Sequence, residues 1–416
     1  MAAIQAGGLV ATFLVVAVVC CCSVDGGQAQ LEIQDEQLHA GDYQALKSIR
    51  GSLADLPGSF FFDSWVVVVQ ADDPVYPCTS FMGVLCDYVQ GLLRVRELNL
   101  GTGLADSPGL TGTLHPAIGS LTALQQLTLS PGQVGGHLPP SLGALQHLQF
   151  LGISKNRISG TIPASLAALQ SLQTLDLSYN KLLGPLPASL LQLPNLQAVL
   201  LSHNRLAGHL PSTISSPLLH LDMQGNLLSG PLPPTLPPTL SFLSLANNRL
   251  SGNITALSRS LPSLYYVDLS FNKLTSVLPP SLLGLPLHSL LLQHNHLWGL
   301  VDPQSHVSMG TLDLSFNEFS GPLSPLLATA SNLYLNNNRF KGRVPRAFAD
   351  QLLAGDMVNL YLQHNLVTQF QLDPFIPLPT EASLCISFNC METPTQSHCP
   401  DSVATEITSS DNQCGH

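Results

Sequence analysis

The chain has 416 residues, 10% charged and 45% hydrophobic, with 32 Gly and 32 Pro. So few charges beside so many apolar residues exclude a disordered chain, which lacks the apolar surface to offset its ordering entropy. A net charge of −11 without a block of Lys and Arg argues against nucleic acid as a partner, because such a surface must neutralise phosphates.

The first element is the apolar run Leu9–Cys22, 14 residues long. A bilayer span needs about 20, so residues 1–29 read as a secretory signal, with Gly27-Gln28-Ala29 as a small-x-small cleavage site. The mature chain is expected to begin near Gln30, outside the cell, in the wall or at the surface. No Lys or Arg precedes the run, and the alternative is an uncleaved segment that anchors the protein to the membrane. Three of the nine cysteines, Cys20, Cys21 and Cys22, fall inside this segment. The other six lie at the two ends of the chain: Cys78, Cys86, Cys385, Cys390, Cys399 and Cys414. An even set in an exported chain predicts disulfides. Cys78 is expected to pair with Cys86, and the last four to form two bonds, with three connectivities open. A zinc site is disfavoured because no CxxC pair is present.

Residues 30–92 form the next segment. In "DYQALKSIRGSL", Tyr43, Leu46 and Ile49 have the spacing of a short helix. Trp65 and "CTSFMGVLC" follow. Arg94 and Arg96 of "RVR" could grip a carboxylate, but they enter the repeats beside this segment and are read as solvated.

From residue 93 to 370 the chain repeats. The second leucine of "LxL" recurs at Leu100, Leu129, Ile153, Leu177, Leu201, Met223, Leu245, Leu269, Leu292, Leu314, Leu335 and Leu362, every 21 to 29 residues. That period belongs to leucine-rich repeats. Ten of the twelve coils carry Asn three residues later: Asn156, Asn180, Asn204, Asn226, Asn248, Asn272, Asn295, Asn317, Asn338 and Asn365. One coil cannot bury its leucines alone, so coils stack into a continuous core behind a parallel sheet. After each strand the backbone turns while still inside and its polar groups need partners. An amide both donates and accepts, so the Asn column is expected to be a structural ladder. The fold class is an α/β solenoid: a right-handed leucine-rich-repeat superhelix of about 12 coils with a parallel concave sheet and disulfide caps. Residues 371–416 would form the C-terminal cap.

After most ladder Asn residues comes "xLxGxIP" or a variant, as in "RISGTIP", "KLLGPLP" and "RLAGHLP", ending at Pro163, Pro187, Pro211, Pro233, Pro279 or Pro345. This resembles the plant-type extracellular leucine-rich repeat shared by receptor-like proteins, receptor-kinase ectodomains and polygalacturonase-inhibiting proteins. "CTSFMGVLC" is similar to that family's cap motif, with Phe81 in a Trp position. The resemblance covers residues 40 to 370 and implies a concave sheet that binds a peptide, a glycan or a secreted enzyme.

Candidate chemistry is weighed on that sheet. The slot before each ladder Asn holds His203, His294 and His364 among others, read as one column of the concave face. Four coils separate His203 from His294, about 19 Å at ~4.8 Å per strand, far beyond the reach of one metal ion. They are read as solvated. Asp176, Asp222, Asp268 and Asp313 share the middle of "LDLS", without a general-acid partner or nucleophile beside them, so no catalytic residue and no cofactor is assigned. The partner surface is expected at Tyr266, Asp268, Phe271, Leu291, His294, Phe316 and Tyr334, where rings gather on the later coils. Asn253 heads the sole N-x-S/T sequon and is the expected glycosylation site.

Function on this reading is a secreted, non-catalytic binding module, with a co-receptor role among its uses. An inhibitor of wall-degrading enzymes and a structural matrix component are the alternatives.

Overall fold

A computed structural model describes residues 38–66, 76–101, 108–129, 131–258, 261–399 and 414. These belong to one compact unit. The signal segment, its cleavage site and the "GLADS" stretch of the first coil lie outside the described residues.

The cap starts at the helix Ala40–Ser52, which buries Ala45, Leu46 and Ile49, while Tyr43 stays half-buried. Trp65 is buried against Phe81, ring centroids 4.8 Å apart, and its indole N–H donates to the Met82 carbonyl at 2.9 Å. Phe81 thus fills the Trp position of the motif with a ring that stacks on Trp65. The Cys78–Cys86 disulfide ties this segment to the hairpin that opens the main sheet.

Leu at alternate positions of a short run turns one face inward and leaves the other free. Repeated coil after coil, this builds a 14-stranded sheet. Val84–Val89 and Leu92–Leu100 pair antiparallel at one end, and every later strand is added in parallel, through Ser383–Cys385. The leucines behind it form a single continuous core. The "xLxG" segments make a second side of short parallel strands, from Ser159–Gly160 to Lys273–Leu274 and again from Trp298–Gly299 to Leu366–Gln369. Gly160, Gly184 and Gly230 of that motif each sit at φ +77°, a left-handed bend that a Cβ disfavours. The Pro that ends the motif lacks an N–H and leads into single 3-10 turns such as Pro140–Ala144 and Ala164–Ala168. Among the described residues no helix is long and apolar enough to cross a membrane.

The ladder is built from paired uses of each amide. Asn204 accepts from the Leu182 N–H at 3.0 Å and donates to the Leu177, Leu201 and Ser202 carbonyls at 2.9, 3.2 and 3.3 Å. The other nine ladder Asn residues are buried in the same way.

The array is one coil longer than the spacing of leucines predicts. Ser383–Cys385 pairs with Asn359–Tyr361, and Asn389 accepts from the Val367 N–H and donates to the Leu362 carbonyl, both at 3.0 Å. "LCISFN" keeps the ladder Asn and Leu384, but Ile386 replaces the second leucine of LxL and Cys385 takes the middle slot that Asp holds in several other coils, which hides the coil. Its cysteine is bonded to Cys399, and Cys390 to Cys414, which selects one of the three connectivities. The C-terminal cysteines therefore cross-link the last coil itself as well as the segment that covers it.

Arg94 corrects the reading of "RVR". Its guanidinium makes a bidentate pair with Asp42, both contacts 2.9 Å, and the Val95 N–H donates to the same carboxylate at 3.0 Å. Asp42 is fully buried and the Arg94 side chain only 15% exposed. Arg94 does grip a carboxylate, but one supplied by this chain's own cap helix.

Candidate functional site

Three rows of side chains cross the main sheet, and strand register decides their members. The first positions of successive strands align His220, Phe242 and Tyr266, whose rings stack at 4.1 and 4.5 Å between centroids. The third positions align Asp222, Ser244, Asp268, Leu291, Asp313, Tyr334 and Tyr361. A third row runs along the turn beyond each strand: Phe271, His294 and Phe316 stack at 4.2 and 4.1 Å.

The predicted partner residues therefore fall on one contiguous area but on three distinct rows. Tyr266 belongs to the first, Asp268, Leu291 and Tyr334 to the second, and Phe271, His294 and Phe316 to the third. The slot before the ladder Asn is not a strand position. It adopts φ near +53° in Lys155, Tyr179, His203, Phe271 and Phe316 alike. This conformation is costly for bulky residues, and each coil that carries a ladder Asn accepts it because the turn must bring that Asn inward. The three histidines are accordingly not simply solvated. His203 stacks on Tyr179 at 4.3 Å, His294 lies between two phenylalanines, and His364 stacks on Phe388 at 4.6 Å. Nor do the sequence expectations include His220 and Phe242. Their signal is present, since each holds the first slot of an "xLx" strand.

The aspartates have a local structural use. Oδ1 of Asp268 accepts from the N–H and hydroxyl of Ser270 at 3.0 and 2.6 Å. Asp176 with Ser178 and Asp313 with Ser315 repeat the arrangement. They also shape the electrostatics of the sheet. Burial raises the Asp222 and Asp268 carboxyls above the ordinary range and pushes Asp313 up to about 6. Tyr266 is held up at about 12, first by burial and then by the charge of Asp268. Between Thr174 and Tyr361 the strands of the main sheet contain four Asp and no Lys or Arg. The floor of the site is thus acidic, apolar in patches, and poor in competing cations.

A carboxyl raised on folding binds its proton more tightly in the native state. Native stability then falls as pH rises from the ordinary carboxylate range to about 6, and the penalty is complete above it. Asp313→Asn keeps an acceptor for Ser315 and removes the titration. It should flatten the pH dependence in that window and raise stability at pH 7 by on the order of 1–2 kcal/mol relative to pH 4. Urea midpoints at both pH values check this; equal pH dependence in the two proteins would refute it.

Elsewhere, Asn253 is exposed, and its Oδ1 accepts from the Thr255 N–H and hydroxyl at 3.2 and 2.5 Å.

Leucine-rich-repeat family profiles match residues 146–206 and 263–285. Receptor-like protein 47 of Arabidopsis thaliana is 35% identical over 99 residues, which span 22% of this chain and 12% of that protein. Among solved structures, the plant peptide hormone receptor RGFR1 in complex with RGF2 is similar with a TM-score of 0.60 and 33% identity, over 68% of this chain and 46% of that one. A plant ice-binding protein is similar with a TM-score of 0.55 and 30% identity, over 69% of this chain and 89% of that one. The chain thus spans a small part of the curated relative and about half of the hormone receptor's chain. One architecture carries unlike ligands in these proteins, so the ligand must be argued from the site.

Proposed function

Because the chain belongs to the plant-type extracellular leucine-rich-repeat proteins, we propose that it is a non-catalytic recognition module whose concave sheet binds an extended extracellular peptide with cationic side chains. The acidic floor carries this reading. Asp222, Asp268 and Asp313 recur at every second coil, about 10 Å apart, with no Lys or Arg on the main-sheet strands between them. An extended peptide places side chains of one face ~6.6–6.8 Å apart, so basic residues along its length can reach successive aspartates. The Phe271, His294 and Phe316 stack supplies a flat apolar wall beside that floor, suited to the anchoring contacts that dominate interfaces. RGFR1, to which the chain is similar, is a plant peptide hormone receptor, which agrees with this ligand class.

Selection of random peptides against the secreted chain tests the proposal. The enriched pool should carry Lys or Arg in excess. Phe271→Ala and Phe316→Ala should each weaken a selected peptide by about thirtyfold or more, the usual loss at an aromatic anchor. Both should melt like wild type, since these rings stand outside the core, and Ser178→Ala should bind normally. A pool without basic bias, or Phe variants that bind like wild type, would refute it. A co-purifying hydrolase whose activity the chain blocks would place it among the enzyme inhibitors instead.

A further inference from the structure

The residue directly after each ladder Asn opens the short strand on the second side of the coil. In coils three to eight these residues are Arg157, Lys181, Arg205, Leu227, Arg249 and Lys273. All five cations are exposed, while the residue after each is buried. Stacking makes them neighbours. The Arg157 N–H donates to Val134 of the preceding coil, and the Lys181 N–H to Ile158 of the coil of Arg157. Five coil intervals at ~4.8 Å give a row about 24 Å long.

The row is unusual for this chain. Between residues 108 and 301 there are seven Lys and Arg against three Asp, a net +4, while the rest carries eight against 23, a net −15. Those three acids are Asp176, Asp222 and Asp268, all on the main sheet. Among the described residues none of the five cations forms an ion pair. The row ends at coil nine, where His296 takes the equivalent place; in coil ten Glu318 takes it, 3.7 Å from His296, and pairs with Arg339 at 3.1 Å. A solvated face normally mixes both signs; this one keeps a single sign over six coils.

We propose that this row binds a linear acidic glycan, its carboxylates or sulfates tracking the stacked cations. Strand register sets a hydroxyl beside several of them, with Ser159 opposite Lys181, Ser229 opposite Arg249 and Ser251 opposite Lys273. Alternating cations and hydroxyls match a polymer that presents acid groups and hydroxyls in turn. No aromatic residue stands at these register positions, so the face lacks the stacking platforms that hold nucleic-acid bases. The proposal is independent of the peptide reading, which concerns another face.

The test measures binding of the full chain to a linear polyuronate, the same polymer fully methyl-esterified, a sulfated linear glycan, duplex DNA and vesicles of anionic lipid. The polyuronate should be retained at low salt and released as ionic strength passes about 0.15 M, where exposed charges are screened beyond ~8 Å. Esterification should abolish binding. The triple variant Arg157→Gln, Lys181→Gln, Arg205→Gln should lose about tenfold in affinity, the order expected of three exposed charge contacts, with unchanged melting and unchanged peptide capture. Tighter binding of the sulfated glycan would support the row and assign it to sulfate. Equal retention of the esterified polymer, a triple variant that binds like wild type, or a clear preference for DNA or vesicles would each overturn the proposal.

Discussion

Replacing Asn180 and Asn204 together by Leu should destabilise the protein by more than the sum of the two single changes. The excess comes from how the ladder shares its acceptors. Asn204→Leu leaves the Leu182 N–H without its partner. Its three carbonyl acceptors keep others: Leu177 retains Asn180 at 3.2 Å, Leu201 retains Asn226 at 3.0 Å, and Ser202 retains the Tyr179 N–H at 2.8 Å. Asn180→Leu strands the Ile158 N–H and the Ile153 carbonyl. Only the double variant also strands the Leu177 carbonyl, which accepts from both amides. Each buried group left unpaired costs about 1–3 kcal/mol, so a coupling of about that size is expected on top of the single effects. Urea midpoints of the four proteins measure it. Strict additivity would mean that the shared carbonyl finds another donor, and unchanged midpoints that the column is not structural.

Arg94→Leu is the second large effect, about 3–5 kcal/mol of lost stability. Breaking a buried ion pair at one partner strands the other charge, and here the stranded group is Asp42, fully buried in the first turn of the cap helix. The Val95 N–H at 3.0 Å and the His39 imidazole 3.6 Å away remain beside it, too little for a carboxylate that has lost both contacts to the guanidinium. Adding Asp42→Asn removes the charge and should recover much of the loss. Recovery separates a stranded anion from simple loss of the Arg94 packing. If the double variant is no more stable than Arg94→Leu, the charge is not the cause.

Both effects rest on groups the amino-acid pattern displays unequally. The Asn column is legible because each coil repeats it at one interval, and the reason for it, satisfaction of inward backbone groups, is local. The Asp42–Arg94 pair is not legible, since 52 residues separate its members. Nothing in "RVR" distinguishes an arginine that meets the cap from one that meets water. The coil at Asn389 escapes the leucine count for a simpler reason: Ile386 replaces the second leucine that marks the beat, and Cys385 stands between it and Leu384.

The candidate sites divide in the same way. Periodicity places Tyr266, Asp268, Leu291 and Tyr334 on strands and predicts that neighbouring coils juxtapose them. It does not reveal that the slot of Phe271, His294 and Phe316 is a left-handed turn, because backbone handedness there is imposed by the need to return the ladder Asn to the core. Nor do cations scattered along the chain announce a row. Arg157, Lys181 and Arg205 are 24 residues apart in sequence, so no block of charge appears. By itself, then, the sequence determined what repeats within one coil: the period, the buried leucines, the ladder amide and the bend at glycine. The tertiary structure decided what lies beside what across coils. Stacking turns every interval of about 23 residues into a ~4.8 Å step, and only then do single side chains become rings in contact, a shared carbonyl, or a line of charge.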